Sequence, residues 1–100
     1  GETCCLPKTA WPPTSFYDID PQAPTHFLVI PKAHIASCGE ITAENSAVVA
    51  HCFEVISKVT KDLGIAQFRV VSNCGEQAGQ SVFHLHFHVL AGRDMTWPPG

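Results

Sequence analysis

Histidine alternates with large apolar residues across residues 82–90, which read Val-Phe-His-Leu-His-Phe-His-Val-Leu. In an extended strand, successive side chains point to opposite faces, and residues two apart lie ~6.6–6.8 Å from each other. His84, His86 and His88 would then share one face, while the opposite face is entirely apolar. Such a strand requires a covering layer on its apolar side and a chemical use for the imidazoles on the other.

The composition indicates one small globular domain, because 45% of the 100 residues are hydrophobic and only 15% are charged. The net charge of -3 argues against a basic nucleic-acid surface, although backbone amides can still bind a small anion such as a mononucleotide. The five cysteines form no C-x-x-C pair, and no signal-like apolar segment is present. We therefore expect a reducing, cytoplasmic setting, and no apolar run approaches the ~20 residues of a membrane span.

Four strand candidates surround one helix candidate. Residues 1–15 contain three prolines and predict an irregular N-terminal arm, and residues 16–100 predict the folded domain. Strands are predicted at residues 16–19, 26–30 and 67–72, in addition to the histidine segment. Their order predicts an α+β fold, in which one long helix covers the apolar face of an antiparallel sheet.

The helix is predicted from Ala43 to Leu63, with Thr42 as its N-cap and Gly64 as its stop. Apolar residues recur there at the spacing of one helix face. His51 lies off this stripe and is interpreted as a solvated residue. The predicted stripe consists of Val49, Cys52, Phe53, Ile56, Val59 and Leu63.

The row of histidines has four interpretations: a solvated face, a metal site, a nucleophile with its orienting neighbours, or an anion-binding site. The polar loop before it, residues 73–81, favours the last two. Gly75 and Gly79 would let backbone amides approach an anion, and Gln80 and Ser81 add side-chain donors. A phosphate held beside imidazoles is typical of phosphoryl or nucleotidyl transfer. A zinc site remains an alternative, although no orienting carboxylate or thiol is evident.

These residues also resemble a known family. The alternation of His84, His86 and His88 with apolar residues resembles the signature of the histidine triad family. Further matches occur at residues 21–26, 29–32, 79–82 and 97–100. Together they resemble the Hint branch, the purine nucleoside phosphoramidases, over roughly residues 16–100. Residues 1–15 depart from that pattern, because family members usually begin there with a helix and a strand.

The resemblance implies hydrolysis of purine nucleoside 5′-monophosphoramidates through a covalent nucleotidyl-histidine intermediate. It implies that His86 is the nucleophile, with His84 and His88 as its flanking partners. His26 matches a fourth histidine that supports the triad from the neighbouring strand. Ser81 matches a residue near the nitrogen of the leaving group. A neutral imidazole with a pKa of ~6.5 can attack phosphorus near neutral pH, which agrees with this chemistry.

The resemblance also implies a nucleotide-binding set and a partner. Asn73 and Gly79 match positions at the phosphate, where the loop would also contribute Gln80. Asp18 matches the carboxylate that accepts the ribose hydroxyls, and Phe16 and Ile19 match positions near the base. The resemblance further implies a homodimer in which Trp97 reaches the partner's site, and it implies no metal and no cofactor. We expect no nucleic-acid or membrane partner.

Two other functions remain open at this stage. The chain could be a nucleotide-binding or interaction module of the same fold, whose catalysis is weak or lost because the N-terminal helix and strand are replaced. It could also be a zinc-binding domain, which predicts stoichiometric metal and loss of fold with a chelator. The physiological substrate and the purine preference do not follow from the sequence.

Overall fold

A computed structural model describes the backbone of residues 14–17 and the whole of residues 21–100. These parts contain an antiparallel sheet and one long helix, which confirms the predicted α+β fold. Two short 3-10 turns, Cys38–Glu40 and Glu76–Ala78, lie in the connections. The regular elements in chain order are β1 (Thr14–Tyr17), β2 (Thr25–Ile30), α1 (Ser46–Asp62), β3 (Arg69–Val71) and β4 (Phe87–Ala91).

The sheet has the order β1-β2-β4-β3, and every neighbouring pair is antiparallel. β2 and β4 are the two central strands of this arrangement. Their register pairs His26 with Leu90 and Leu28 with His88. The strand that carries His26 therefore lies directly beside the strand that carries His88.

The core lies between the sheet and α1. β2 contributes Phe27 and Val29, and β4 contributes Phe87 and Val89, all of them buried. Alternate residues on each strand therefore face the helix, as a half-buried antiparallel sheet requires. The helix contributes Val48, Cys52 and Ile56 to the same cluster.

The buried stripe of α1 is rotated relative to the predicted one. Cys52 and Ile56 are buried as predicted, but Val48 and Thr60 complete the stripe. Phe53 and Leu63 were predicted to be in the core and are 46% and 47% exposed. The four buried residues are each four positions apart, so their side chains lie on the same side of the helix, the side that contacts the sheet.

The predicted ends of α1 are partly wrong. The helix begins at Ser46, because Thr42 opens a separate turn in which its carbonyl oxygen accepts the Ser46 amide at 2.9 Å. Gly64 ends the helix as predicted, with a φ of +73°. The Ile65 amide donates to the Thr60 carbonyl and the Gly64 amide donates to the Lys61 carbonyl, which is a Schellman motif. No helix in the described part of the chain is long and apolar enough to cross a membrane.

The strand boundaries also differ from the prediction. β1 begins at Thr14, so the last two residues of the predicted irregular arm belong to the sheet. The histidine strand begins at Phe87, not at residue 82. Continuing the β2–β4 register would place Pro31 opposite Leu85, and proline has no amide hydrogen for the ladder. β3 ends at Val71, and residues 82–86 lie outside the sheet, with bends at Val82 and His84.

Candidate active site

The three histidines share one face of the chain, as their alternation predicts. Leu85, Phe87 and Val89 are buried against the helix, while His84, His86 and His88 are half-buried on the other side. The imidazoles of His86 and His88 are in contact, with their ring centroids 5.0 Å apart. The buried apolar residues thus fix the backbone that presents the row.

The tautomer of the His86 ring follows from a hydrogen bond of its Nδ1 atom. Its Nδ1 lies 2.7 Å from the backbone carbonyl oxygen of His84. A carbonyl oxygen can only accept, so Nδ1 carries the proton and donates it. In the neutral ring, Nε2 then holds a lone pair, which is the form that a nucleophile requires. His84 therefore supports His86 through its backbone.

The ring of His84 has a different task. Its Nε2 donates to the carbonyl oxygen of Pro31 at 2.8 Å, which connects the histidine segment to the residue after β2. The ring of His34 packs edge-on against it, at a centroid distance of 5.7 Å. The His84 ring therefore stabilises the position of its own backbone, whose carbonyl oxygen accepts the hydrogen bond from His86.

His26 and His88 form a directional pair across β2 and β4. The backbone amide of Gln22 donates to Nδ1 of His26 at 3.0 Å, so this nitrogen is an acceptor. Nε2 of His26 consequently carries the proton and donates to Nδ1 of His88 at 2.8 Å. Neutral His88 then carries its own proton on Nε2. His26 is 4% exposed, and burial of this kind makes the hydrogen-bond network more rigid.

The glycine loop is held by its own backbone. Gly75 and Gly79 have φ values of +89° and +97°, a region that favours glycine. The Gly79 amide donates to the Glu76 carbonyl, and the Ala78 and Gln80 amides both donate to the Gly75 carbonyl. The Gly75 amide donates to the side-chain oxygen of Gln80. The amides of Gly75, Ala78, Gly79 and Gln80 are thus engaged within the loop, and the predicted approach of loop amides to an anion stays a prediction.

Gln80 is the internal support of that loop. Its side chain is 4% exposed and connects three segments. Oε1 accepts the Gly75 amide at 2.8 Å, and Nε2 donates to the carbonyls of Ala36 at 2.7 Å and Val82 at 3.1 Å. Both side-chain amide hydrogens of Gln80 are thus used within the protein, and its predicted contact with the nucleotide stays a prediction. The loop instead leaves Ser81 exposed beside the histidine segment.

A family model described as the HIT domain matches residues 13–95, which is most of the chain. The chain belongs to the HIT family. An uncharacterized HIT-like protein of Synechocystis is 47% identical over 87 residues, which is 86% of this chain and 76% of that protein.

Solved structures of HIT proteins share the fold. The HIT family hydrolase from Legionella pneumophila has a TM-score of 0.86 and 40% identity, covering 95% of this chain and 90% of that one. The histidine triad nucleotide-binding protein from Candida albicans has a TM-score of 0.72 and 33% identity, covering 93% and 72%. This HIT domain therefore has a fold found in a hydrolase and in a nucleotide-binding protein of the family.

The remaining predicted site residues of this HIT domain fall into two groups. Asn73 is half-buried beside Gly79, since its side-chain nitrogen lies 3.8 Å from the position that a Cβ on Gly79 would occupy. Trp97 is 82% exposed near the C-terminus. The other group lies outside the described residues, namely the side chain of Phe16 and the whole of Asp18 and Ile19. Their predicted contacts with the ribose and the base stay predictions.

Sequence reasoning missed two residues beside the triad of this HIT domain. His34 contacts the ring of His84, and Ser72 donates its hydroxyl to the carbonyl oxygen of His86 at 3.0 Å. His34 has a weak sequence signal, because it is a sixth histidine close to the end of a histidine-bearing strand. Ser72 has none, since only the pairing of β3 with β4 brings it to the nucleophile.

The zinc interpretation can be compared with the geometry. Among residues 21–100, no group of three histidine, cysteine or acidic side chains is arranged to hold a metal ion. His84 and His86 each use a ring nitrogen in a hydrogen bond to a backbone carbonyl. The geometry of the row therefore matches an oriented nucleophile better than a set of metal ligands.

Proposed function

We propose that this HIT protein hydrolyses purine nucleoside 5′-monophosphoramidates through a covalent nucleotidyl-histidine intermediate on His86. The observation that carries this proposal is the hydrogen bond from His86 Nδ1 to the His84 carbonyl oxygen at 2.7 Å. It leaves the Nε2 lone pair for attack on phosphorus. Structural similarity to a HIT family hydrolase and to a histidine triad nucleotide-binding protein supports the choice of a nucleotide substrate.

The proposed reaction has two displacement steps. In the first step, Nε2 of His86 bonds to phosphorus, the P–N bond of the substrate breaks, and the amine leaves with a proton taken from the solvent, to which the attacking water returns a proton in the second step. In the second step, water bonds to phosphorus and the P–Nε2 bond breaks, which releases the nucleoside monophosphate and restores His86. The sum is phosphoramidate plus water giving nucleoside monophosphate plus amine. Phosphoryl transfer of this kind needs mainly positioning and charge stabilisation, and we propose that no metal or cofactor takes part.

The neighbouring residues have distinct proposed tasks. His88, directed by His26, donates from Nε2 toward the phosphoryl oxygens, on which negative charge develops. Asn73 and Ser81 contribute side-chain donors at the phosphate and at the leaving nitrogen. We further propose that Asp18, with Phe16 and Ile19, provides the selectivity for a purine nucleoside.

The proposal can be tested by trapping the intermediate. The protein is mixed with adenosine 5′-monophosphoramidate and quenched at short times, and intact mass spectrometry follows an increase equal to one nucleotidyl group. We expect the adduct on His86, and we expect His86→Ala to lose both adduct and turnover. His51→Ala is the matched control, because His51 lies on the exposed face of α1. Turnover that survives in His86→Ala would refute the mechanism.

Two further arms of this experiment separate the alternatives. Calorimetry with adenosine monophosphate identifies a nucleotide-binding module if binding is measurable while the wild-type protein forms no adduct. Repeating the assay with a chelator tests the zinc-binding alternative, which predicts loss of fold when metal is removed. We expect binding, turnover and fold to be retained with the chelator.

A further inference from the structure

We infer that Ser72 is a positioning residue for the nucleophile, acting through the backbone of His86. Its hydroxyl donates to the His86 carbonyl oxygen at 3.0 Å. Ser72 follows β3 directly, and its half-buried side chain bonds to the adjoining segment just before β4 begins. This inference rests on the proposed function for its catalytic consequence, although the positioning itself can be measured separately.

His86 lies just outside the strand ladder. The last paired residues of β3 and β4 are Val71 and His88, and β4 begins only at Phe87. The β2–β4 pairing also ends at Phe87. The proposed nucleophile therefore lies one residue outside the sheet.

Three hydrogen bonds hold residues 85 and 86, which precede the first residue of β4. The Leu85 amide donates to the Ile35 carbonyl oxygen at 2.6 Å, which holds the chain before the nucleophile. The His86 ring donates to the His84 carbonyl, which fixes the tautomer. The third bond is the one from the Ser72 hydroxyl to the carbonyl oxygen of His86 itself, and Ser72 is the residue that follows β3. The carbonyl held by Ser72 and the ring held by His84 are attached to the same Cα, so a change in the backbone dihedral angles at His86 would alter the distance from Nδ1 to the His84 carbonyl.

The chemical consequence concerns both geometry and tautomer. A ring that loses its bond to His84 can exchange the proton between Nδ1 and Nε2, and protonated Nε2 has no lone pair for attack. Small displacements of a reacting group reduce rates steeply, because near-attack geometry is lost. Ser72 would thus affect the rate of nucleotidyl transfer more than substrate affinity.

The test compares Ser72→Thr, which retains a hydroxyl, with Ser72→Val, which has nearly the same shape without one. Ser57→Ala is a control, since Ser57 is also half-buried but lies on α1. We expect Ser72→Val to lower kcat about tenfold with KM within about twofold, and Ser72→Thr to restore most of the rate. Equal kcat values for the Val and Thr variants, measured well below both Tm values, would overturn the inference.

A second measurement does not depend on turnover. Nitrogen-15 NMR of the histidine rings reports the tautomer of His86 directly. We expect a single Nδ1–H form in the wild type and in Ser72→Thr, and averaged ring-nitrogen shifts in Ser72→Val. If the wild type forms no nucleotidyl adduct, the proposed function fails while this spectrum still decides the positioning role. Identical His86 spectra in the Val and Thr variants would refute that role.

Discussion

His26 and His51 carry the same imidazole in opposite surroundings. His26 is buried between the Gln22 amide and Nδ1 of His88, and both of its ring nitrogens are used. His51 lies on the exposed face of α1, where its Nδ1 is 2.9 Å from a carboxylate oxygen of Glu54. An exposed pair of this kind contributes little to stability. The two histidines therefore provide a matched test of what the buried network does.

We expect His26→Ala to lower kcat for the phosphoramidate about 10- to 100-fold, because His88 loses the donor that directs its ring. The free energy of unfolding should fall by about 2 kcal/mol, since the two hydrogen bonds of a buried imidazole are removed. Steady-state kinetics and urea denaturation measure the two effects. His51→Ala should leave both quantities near wild type. A His26→Ala protein with kcat equal to that of His51→Ala would contradict the proposed network.

At the scale of elements, the glycine loop depends on one backbone conformation. Gly79 has a φ of +97°, which lets the chain turn so that Gln80 points inward while Ser81 stays exposed. Gly64 has a φ of +73° at the end of α1, with nothing within 4 Å of the place where a Cβ would sit. Both positions disfavour residues with a Cβ for the same steric reason.

We expect Gly79→Ala and Gly64→Ala to lower the free energy of unfolding by similar amounts, about 1 to 2 kcal/mol each. Only Gly79→Ala should also raise KM for the phosphoramidate, because strain there displaces Asn73 and Ser81. Urea denaturation and steady-state kinetics on both variants test this. An unchanged KM in Gly79→Ala would show that the loop conformation is irrelevant to substrate binding.

The core face of α1 contains a titratable group. Cys52 is fully buried against the sheet, and desolvation raises the pKa of its thiol from 9.0 to about 11. The unfolded chain ionises this thiol at its ordinary pKa, whereas the folded chain keeps it neutral. The contribution of Cys52 to stability is thus complete below about pH 9 and is lost as the pH rises toward 11.

We expect wild-type protein to lose about 2 to 3 kcal/mol more stability than Cys52→Ala between about pH 9 and pH 11, since each unit of pKa corresponds to about 1.4 kcal/mol. Urea denaturation across this range measures the difference. All other titratable groups are the same in the two proteins, so the difference between the curves isolates Cys52. Parallel stability curves for the two proteins would show that the thiol ionises normally in the folded state.

At the scale of the whole molecule, Trp97 is a large apolar side chain that remains 82% exposed. Arg69 donates to the carbonyl of neighbouring Thr96 at 3.1 Å, which attaches this tail to the beginning of β3. We propose a homodimer in which each Trp97 serves the active site of the other protomer. An exposed tryptophan on an attached tail is compatible with such a contact.

We expect Trp97→Ala to lower kcat/KM, and we expect mixing Trp97→Ala with inactive His86→Ala to restore activity. The mixed dimer contains one site with an intact His86 and with Trp97 supplied by the other protomer. The measurement is activity against mixing ratio, with sedimentation velocity to establish the dimer. Absence of recovery in a confirmed mixed dimer would show that Trp97 does not act on the partner's site.

Local patterns predicted the α+β class, the helix near residues 46–62 and the common face of the three histidines. These features depend on period and chain order, which neighbouring residues determine. The rotation of the α1 stripe was not predictable, because Phe53 and Leu63 fit a helical period as well as Val48 and Thr60 do. Which of them is buried depends on how the helix lies on the sheet.

The sequence by itself determined that His84, His86 and His88 would lie on the side away from the apolar core, because the large apolar residues that alternate with them, Leu85, Phe87 and Val89, are the ones that become buried. Only the tertiary structure decided how each imidazole is used. The His84 carbonyl and the Gln22 amide fix the tautomers of His86 and His26 and lie close in the chain to the rings they bond. The bonds from His26 to His88 and from His84 to Pro31, in contrast, join distant segments. Hydrogen bonds between segments far apart in the chain have no periodic signature. The hydrogen bond from Ser72 to His86 therefore could not be predicted from the sequence, because it depends on the pairing of β3 with β4.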